Sequence, residues 1–217
     1  MLIVICGLPG TGKSVTARQI ASDINAIILR TDSIRKEMFR RGNLGEVLKS
    51  SNPLQFDLES IFDRQRIIPK KFQRLIWKQK ELVYDGLFKR VSKLLLKCLN
   101  LVLDATLYKK SLREKIYNIA RGANSKVFLI ECVCSEKAIR KRFKKRSKKP
   151  DRFSYVDKIR IFQKMKERFE DPLDDKKPTI IYDTGRQKIK FYNFSNEDKE
   201  ELEKLRGSLK KLILKFS

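Results

Sequence analysis

Short apolar runs alternate with longer amphipathic stretches along this chain. Leu2–Cys6 is continuously apolar, and Ala26–Leu29, Leu99–Leu103, Lys126–Val133 and Thr179–Tyr182 are close to it in character. Runs of this length without strict alternation suit strands covered on both faces, as in a parallel sheet. Helical periodicity is predicted over Lys13–Ile24, Ile34–Arg41, Lys109–Arg121, Glu136–Arg146 and Tyr155–Phe169. The alternation implies βαβ units and an α/β fold with a parallel sheet and helices on both faces.

The longest helical pattern starts at Pro69, a favoured first-turn residue, and runs towards Lys97. Its apolar positions Phe72, Leu75, Ile76, Leu82, Val83, Leu87, Val91, Leu94 and Leu95 recur at threes and fours. A last helix, about Glu197 to Lys215, opens with acids and closes with lysines, as the helix dipole favours. Residues 42–68 have no clear period and hold Gly42, Gly45, Ser50, Ser51, Asn52 and Pro53. They read as a long, partly helical excursion, and long loops in compact domains are often functional. With no internal repeat and no low-complexity segment, residues 1–217 are expected to form a single domain.

Composition narrows the class. No stretch reaches the roughly 18 apolar residues of a membrane span, and the apolar N-terminus lacks the basic flank of a signal peptide. The expectation is a cytoplasmic protein. Cys6, Cys98, Cys132 and Cys134 lie in or beside apolar runs, form no C-x-x-C pair and are accompanied by no histidine. That pattern reads as buried, reduced thiols rather than a zinc site. The formal charge of +25, from 51 Lys and Arg against 26 acids, favours anionic partners. A lysine-rich bias spread over solvated helix faces is the competing explanation.

The chemistry starts at Gly7-Leu8-Pro9-Gly10-Thr11-Gly12-Lys13-Ser14, a G-x-x-x-x-G-K-S loop between a strand and a helix. Its glycines let backbone amides curl around a phosphate, and the helix N-terminus adds positive potential. Lys13 would reach the β- and γ-phosphates of ATP, and the Ser14 hydroxyl would ligate Mg²⁺. Thr16, just inside the helix, joins the nucleotide-binding set. Asp104 ends the third apolar strand and is the second metal candidate, directly or through water; a turn cap is its structural alternative.

Thr31-Asp32-Ser33-Ile34-Arg35 follows the second strand, at the sheet edge where such folds bind ligands. Asp32 can accept the proton of an acceptor hydroxyl, and Arg35, about one turn on, can hold an acceptor phosphate or hydroxyl. The alternative is an N-cap followed by a solvated arginine. Residues 136–170 carry 15 Lys and Arg against 5 acids, with Arg142 and Arg146 one turn apart. A basic helix–loop–helix here is expected to be a lid whose arginines neutralise charge during phosphoryl transfer.

Together these residues resemble the small P-loop kinases, a group that includes polynucleotide 5′-hydroxyl kinases, gluconate-kinase-like enzymes, zeta toxins and chloramphenicol phosphotransferase. The archaeal kinase of seryl-tRNA is a further relative. The resemblance spans Leu2 to about Gly185. It rests on the P-loop, T-D-S-I-R-K-E at 31–37, L-D-A-T at 103–106, the Arg142/Arg146 pair and F-E-D-P at 169–172. It implies a P-loop NTPase fold of the kinase type, with Lys13, Asp32, Arg142 and Arg146 as the catalytic set. It further implies Arg35 at the acceptor's phosphate, Arg142, Arg146 and Arg152 at the ATP phosphates, and Arg113 near the acceptor.

Three functions follow as expectations. The first is an ATP- and Mg²⁺-dependent phosphotransferase acting on a polynucleotide 5′-hydroxyl or an RNA-borne hydroxyl, with single-stranded nucleic acid or tRNA as partner. The second is a small-molecule kinase for a sugar, antibiotic or metabolite. The third is a nucleotide-dependent switch or binding ATPase with no acceptor. A guanine-reading N-K-x-D is absent from the sequence, which argues against a GTPase.

Overall fold

The computed structural model describes residues 1–62, 68–147 and 159–216. Five parallel strands form the sheet: β1 (Leu2–Cys6), β2 (Ile27–Arg30), β3 (Leu101–Asp104), β4 (Val127–Val133) and β5 (Thr179–Asp183). A sixth, β6 (Lys188–Tyr192), pairs antiparallel with β5 and was not expected from the sequence. The order is β2-β3-β1-β4-β5-β6.

Every side chain of β1 is buried because helices cover both faces of the sheet. Leu2, Val4 and Cys6 pack with Leu101, Leu103 and Leu129 beneath α5 (Lys70–Leu95) and α6 (Lys110–Gly122). Ile3 and Ile5 face the other way, against α1 (Lys13–Asp23) and α9 (Lys199–Phe216). No helix among the described residues is long and apolar enough to cross a membrane.

The second helix, α2 (Thr31–Met38), begins three residues before the expected Ile34, so Asp32 lies in its first turn. The excursion after it holds two short helices, α3 (Leu44–Lys49) and α4 (Leu58–Phe62), around a 3-10 turn at Pro53–Gln55. It has its own core: Val47, Phe56, Leu58 and Phe62 close on Phe72 of α5. Buried Gln79 of α5 ties the segment down. Its amide donates to the carbonyls of Leu54 (2.9 Å) and Phe56 (2.5 Å), and its oxygen accepts from the Leu58 amide (3.2 Å).

The basic segment forms α7 (Glu136–Ser147) and α8 (Ile159–Lys166). Ile139 and Phe143 of α7 pack with Phe162 of α8 and with Leu8 of the loop after β1. Of the four thiols, Cys6 and Cys132 are buried as expected, whereas Cys134 is half-buried and Cys98 exposed. Cys98 falls in the turn that ends α5, outside the packed layers, and there it takes a left-handed conformation with φ 57°.

Candidate active site

The carboxyl ends of the strands converge on one edge of the sheet. In register, Ile5 pairs with Asp104, and Asp104 with Arg30, so the carboxyl ends of β1, β3 and β2 lie side by side. The loop Gly7–Gly12 leaves β1 here and runs into α1. Gly7 has φ 127°, and a Cβ there would lie 2.4 Å from the Cys132 carbonyl oxygen. Gly12 has φ 104°, and its hydrogen faces the Thr184 side chain. Only glycine adopts these conformations against such close neighbours.

The loop is braced from behind. Thr11 is buried, its hydroxyl donating to the Leu8 carbonyl at 2.7 Å. The Thr184 hydroxyl donates to the Thr11 carbonyl at 2.6 Å. Arg142 reaches the loop from α7, where its guanidinium is engaged by backbone, by Thr184 and by the Cys134 sulfur. It gives hydrogen bonds to the Gly10 carbonyl (3.0 Å), the Thr184 hydroxyl (2.9 Å) and the Thr184 carbonyl (3.0 Å). Pro9 and Gly10 are buried under α7, where Phe143 lies against Gly10. Arg146 belongs to α7, but its side chain, like the whole of Arg152, lies outside the described residues.

Lys13 Nζ donates to the Leu8 carbonyl at 2.9 Å, folding the ammonium back over the loop. Burial lowers its pKa, while the carboxylate of Asp104 acts the other way. Thr16, expected in the nucleotide-binding set, is buried, with its hydroxyl on the Gly12 carbonyl at 3.4 Å and close to the Cys132 thiol.

Ser14 and Asp104 come together through Arg30, a residue that sequence reasoning passed over. Its Nε donates to Asp104 Oδ2 at 2.9 Å and its Nη2 to the Ser14 hydroxyl at 3.1 Å. A hydroxyl and a carboxylate converging on one cation are hard oxygen donors of the kind magnesium takes, so the pair fits that metal. The signal for Arg30 was its place directly before T-D-S-I-R; a charge at a strand end reads as solvent-facing, which hid it.

Asp32 lies at the mouth of the same edge, with 46% of its side chain exposed. Partial burial raises its pKa. Arg35 works against that rise, while Asp104 and Glu59 add to it. Arg35 is on the same helix face, 3.7 Å from Asp32, with only 5% of its side chain exposed. The excursion supplies further partners, Glu59 at 3.3 Å and Asp57 at 3.6 Å. Lys80 of α5 joins Glu59 at 3.2 Å. Tyr84, one turn on, is hydrogen-bonded to the Leu107 backbone. Burial raises its pKa, with Tyr108, Glu59 and Asp32 adding to the rise.

Arg113, expected near the acceptor, has its guanidinium taken up inside the protein. It is fully buried and bidentate to Asp175, at 2.6 and 3.0 Å. Its remaining bonds go to the carbonyls of Leu107, Glu170 and Asp171. The reason is packing: the F-E-D-P stretch folds over α6, and its carbonyls need a cation there. Leu107, held in a left-handed conformation with φ 45°, is fixed by this clamp, so Arg113 sets the shape of the loop after Asp104.

A phosphate-binding turn after β1, an acid ending the neighbouring β3 and this strand order define a P-loop NTPase-type fold of the small-kinase kind. The chain belongs to the AAA_33 family of AAA domains, which matches residues 2–172. Among solved structures, a sugar kinase from Janibacter sp. HTCC2649 is 14% identical, with TM-score 0.53 and coverage of 84% of both chains. Kti12 of Chaetomium thermophilum, determined with ADP-AlF3, is also 14% identical with TM-score 0.53, covering 98% of this chain and 97% of its own. These likenesses concern the fold. A tRNA dimethylallyltransferase from Microcystis aeruginosa (strain NIES-843 / IAM M-2473) is 42% identical over 55 residues, which is 25% of this chain and 17% of that protein.

Proposed function

We propose that this protein is an ATP-dependent phosphotransferase that moves the γ-phosphate to a hydroxyl of a single-stranded polynucleotide. The observation that carries the reading is the convergence of Lys13, Ser14, Asp104 and Asp32 on one strand edge. The first three form a nucleotide site, and Asp32 is a carboxylate with raised proton affinity at its open side. A nucleotide switch has no use for such a base.

In this reading the loop amides and Lys13 hold the β- and γ-phosphates, Lys13 exchanging the Leu8 carbonyl for phosphate oxygen. Ser14 and Asp104 would hold magnesium, which supplies charge neutralisation at the phosphates. Arg30, now on both of those groups, would then turn its guanidinium to the transferring phosphoryl or the acceptor. Asp32 orients the acceptor hydroxyl and takes its proton as the oxygen attacks phosphorus. Arg142 keeps the loop in shape from behind, and Arg146 and Arg152 of the basic segment are left as candidates for the ATP phosphates.

The polynucleotide acceptor is supported by the charge of +25 and by the basic composition of residues 70–80 and 136–170. A small polyol acceptor is the second reading, favoured by one observation. Arg35 is already neutralised by Asp57 and Glu59, so the acid-lined ground beside Asp32 suits a neutral, hydroxyl-bearing group. A terminal ribose satisfies both.

Incubation with γ-labelled ATP and Mg²⁺, with separate pools of 5′-hydroxyl RNA, 5′-hydroxyl DNA and sugars, tests the proposal. Labelled polynucleotide is expected, with Lys13→Ala inactive and Asp32→Asn slowed by about 10²-fold or more. Label in sugars alone would move the assignment to the second reading. ATP hydrolysis unaffected by Asp32→Asn, with no labelled acceptor, would overturn phosphotransfer altogether.

A further inference from the structure

Trp77 is the only tryptophan of the chain, and 46% of it is exposed, beside the half-buried Leu75 and Ile76 of the same helix. Two cations flank its ring. Lys80 Nζ lies 5.0 Å from the ring centroid and the Arg168 guanidinium 5.7 Å from it. Lys80 comes from the same helix, whereas Arg168 comes from the turn after α8. The ring therefore stands where the long helix and the end of the basic segment approach each other.

A chain of contacts leads from this ring to the candidate base. Lys80 bridges to Glu59 at 3.2 Å, Glu59 to Arg35 at 3.3 Å, and Arg35 to Asp32 at 3.7 Å. Along α5, Trp77, Lys80 and Tyr84 follow at three and seven residues, hence on one face. Seven residues of helix span about 10 Å. A group stacked on Trp77 while its other end reached Asp32 would have to be longer than one sugar ring. Between residues 70 and 80 the chain carries five lysines and arginines and no acid.

We propose that Trp77, between Lys80 and Arg168, is a stacking subsite for a base of a single-stranded polynucleotide whose terminal hydroxyl is presented to Asp32. This rests on the polynucleotide reading given above and adds to it a second point of attachment. An exposed aromatic face within a positive track is how single strands are held without sequence readout: the ring takes a base and the cations take phosphates. A neutral terminal ribose would lie in the acid-lined part, with the first phosphates and bases along α5.

Because Trp77 is the sole tryptophan, its emission reports the subsite directly. The intact protein is titrated with a 5′-hydroxyl hexadeoxynucleotide, the matching hexaribonucleotide, an abasic hexamer and a single nucleoside. Emission is expected to be quenched by one or both hexamers and little by the abasic strand. Trp77→Ala should raise the KM for the hexamer by about tenfold or more, and Trp77→Phe should recover most of that loss; ATP affinity measured in parallel reports folding. Phosphorylation of the hexamer with unchanged emission and unchanged KM in Trp77→Ala would overturn the subsite and leave the phosphotransferase standing. Quenching without phosphorylation would keep the stacking site and sink the acceptor assignment. Phosphorylation of a sugar, with no hexamer bound, would overturn the polynucleotide reading and the subsite together.

Discussion

Asp32 sits in the first turn of α2, where partial burial comes first in raising its pKa and the carboxylates of Asp104 and Glu59 add to it. A base works only when deprotonated. The raised pKa therefore moves the acid limb of kcat/KM above that of an ordinary aspartate, about 3.9. Glu59→Gln removes one repelling carboxylate and should shift this limb to lower pH; Asp32→Asn should abolish it. A pH–rate profile whose acid limb survives in Asp32→Asn would mean that another group is the base. The neighbouring residues show what a sequence reveals at this scale. The P-loop and Asp104 were legible because phosphate and metal chemistry demand fixed residue types at fixed spacing. Arg30 and Thr184 were not, because each matters only through partners far along the chain, Asp104 and Ser14 for one, Thr11 for the other. Arg113 was legible as important but its partner was not, since its ion pair with Asp175 spans 62 positions.

Among the elements, the five parallel strands and the long helix were readable from periodicity alone, with ends moved by a residue or two. The excursion was not. Helices of five and six residues are too short to show a period. Their core is completed by Phe72, and their backbone is anchored by Gln79, both outside the segment. The edge strand β6 escaped for a related reason: Lys188–Tyr192 is only five residues long, mostly exposed and interrupted by lysines. The anchoring makes a prediction. Gln79→Met fills the volume but leaves two carbonyls and one amide without partners, at about 1–3 kcal/mol for each buried group. Amide exchange should accelerate across residues 44–62 while β1, β3 and β4 keep their protection. Because Asp57 and Glu59 hang from the same segment, the Asp32 acid limb should move with it. Unchanged exchange in 44–62 would show that the aromatic core alone holds the excursion.

Charge is a property of the whole molecule, and its placement decides between surface bias and function. Residues 136–170 hold 15 lysines and arginines against 5 acids, and residues 70–80 hold five against none. These two segments come from distant parts of the chain, yet Arg168 of one lies over Trp77 of the other. An even bias would give this one contact between the two basic segments no role in binding. If the track along α5 and the basic segment engages roughly three or four phosphates, log affinity for a single strand should fall with log salt at a slope of about −2 to −3. Reversal of two exposed charges there, Lys70→Glu with Arg74→Glu, should flatten the slope by about 1 or more, whereas the same reversal at Lys210 and Lys215 of α9 should not. Binding isotherms from about 50 to 200 mM salt measure both. Equal flattening from the two pairs would show that the excess acts as a diffuse field rather than as a track, because only a contact site distinguishes one face of the molecule from another.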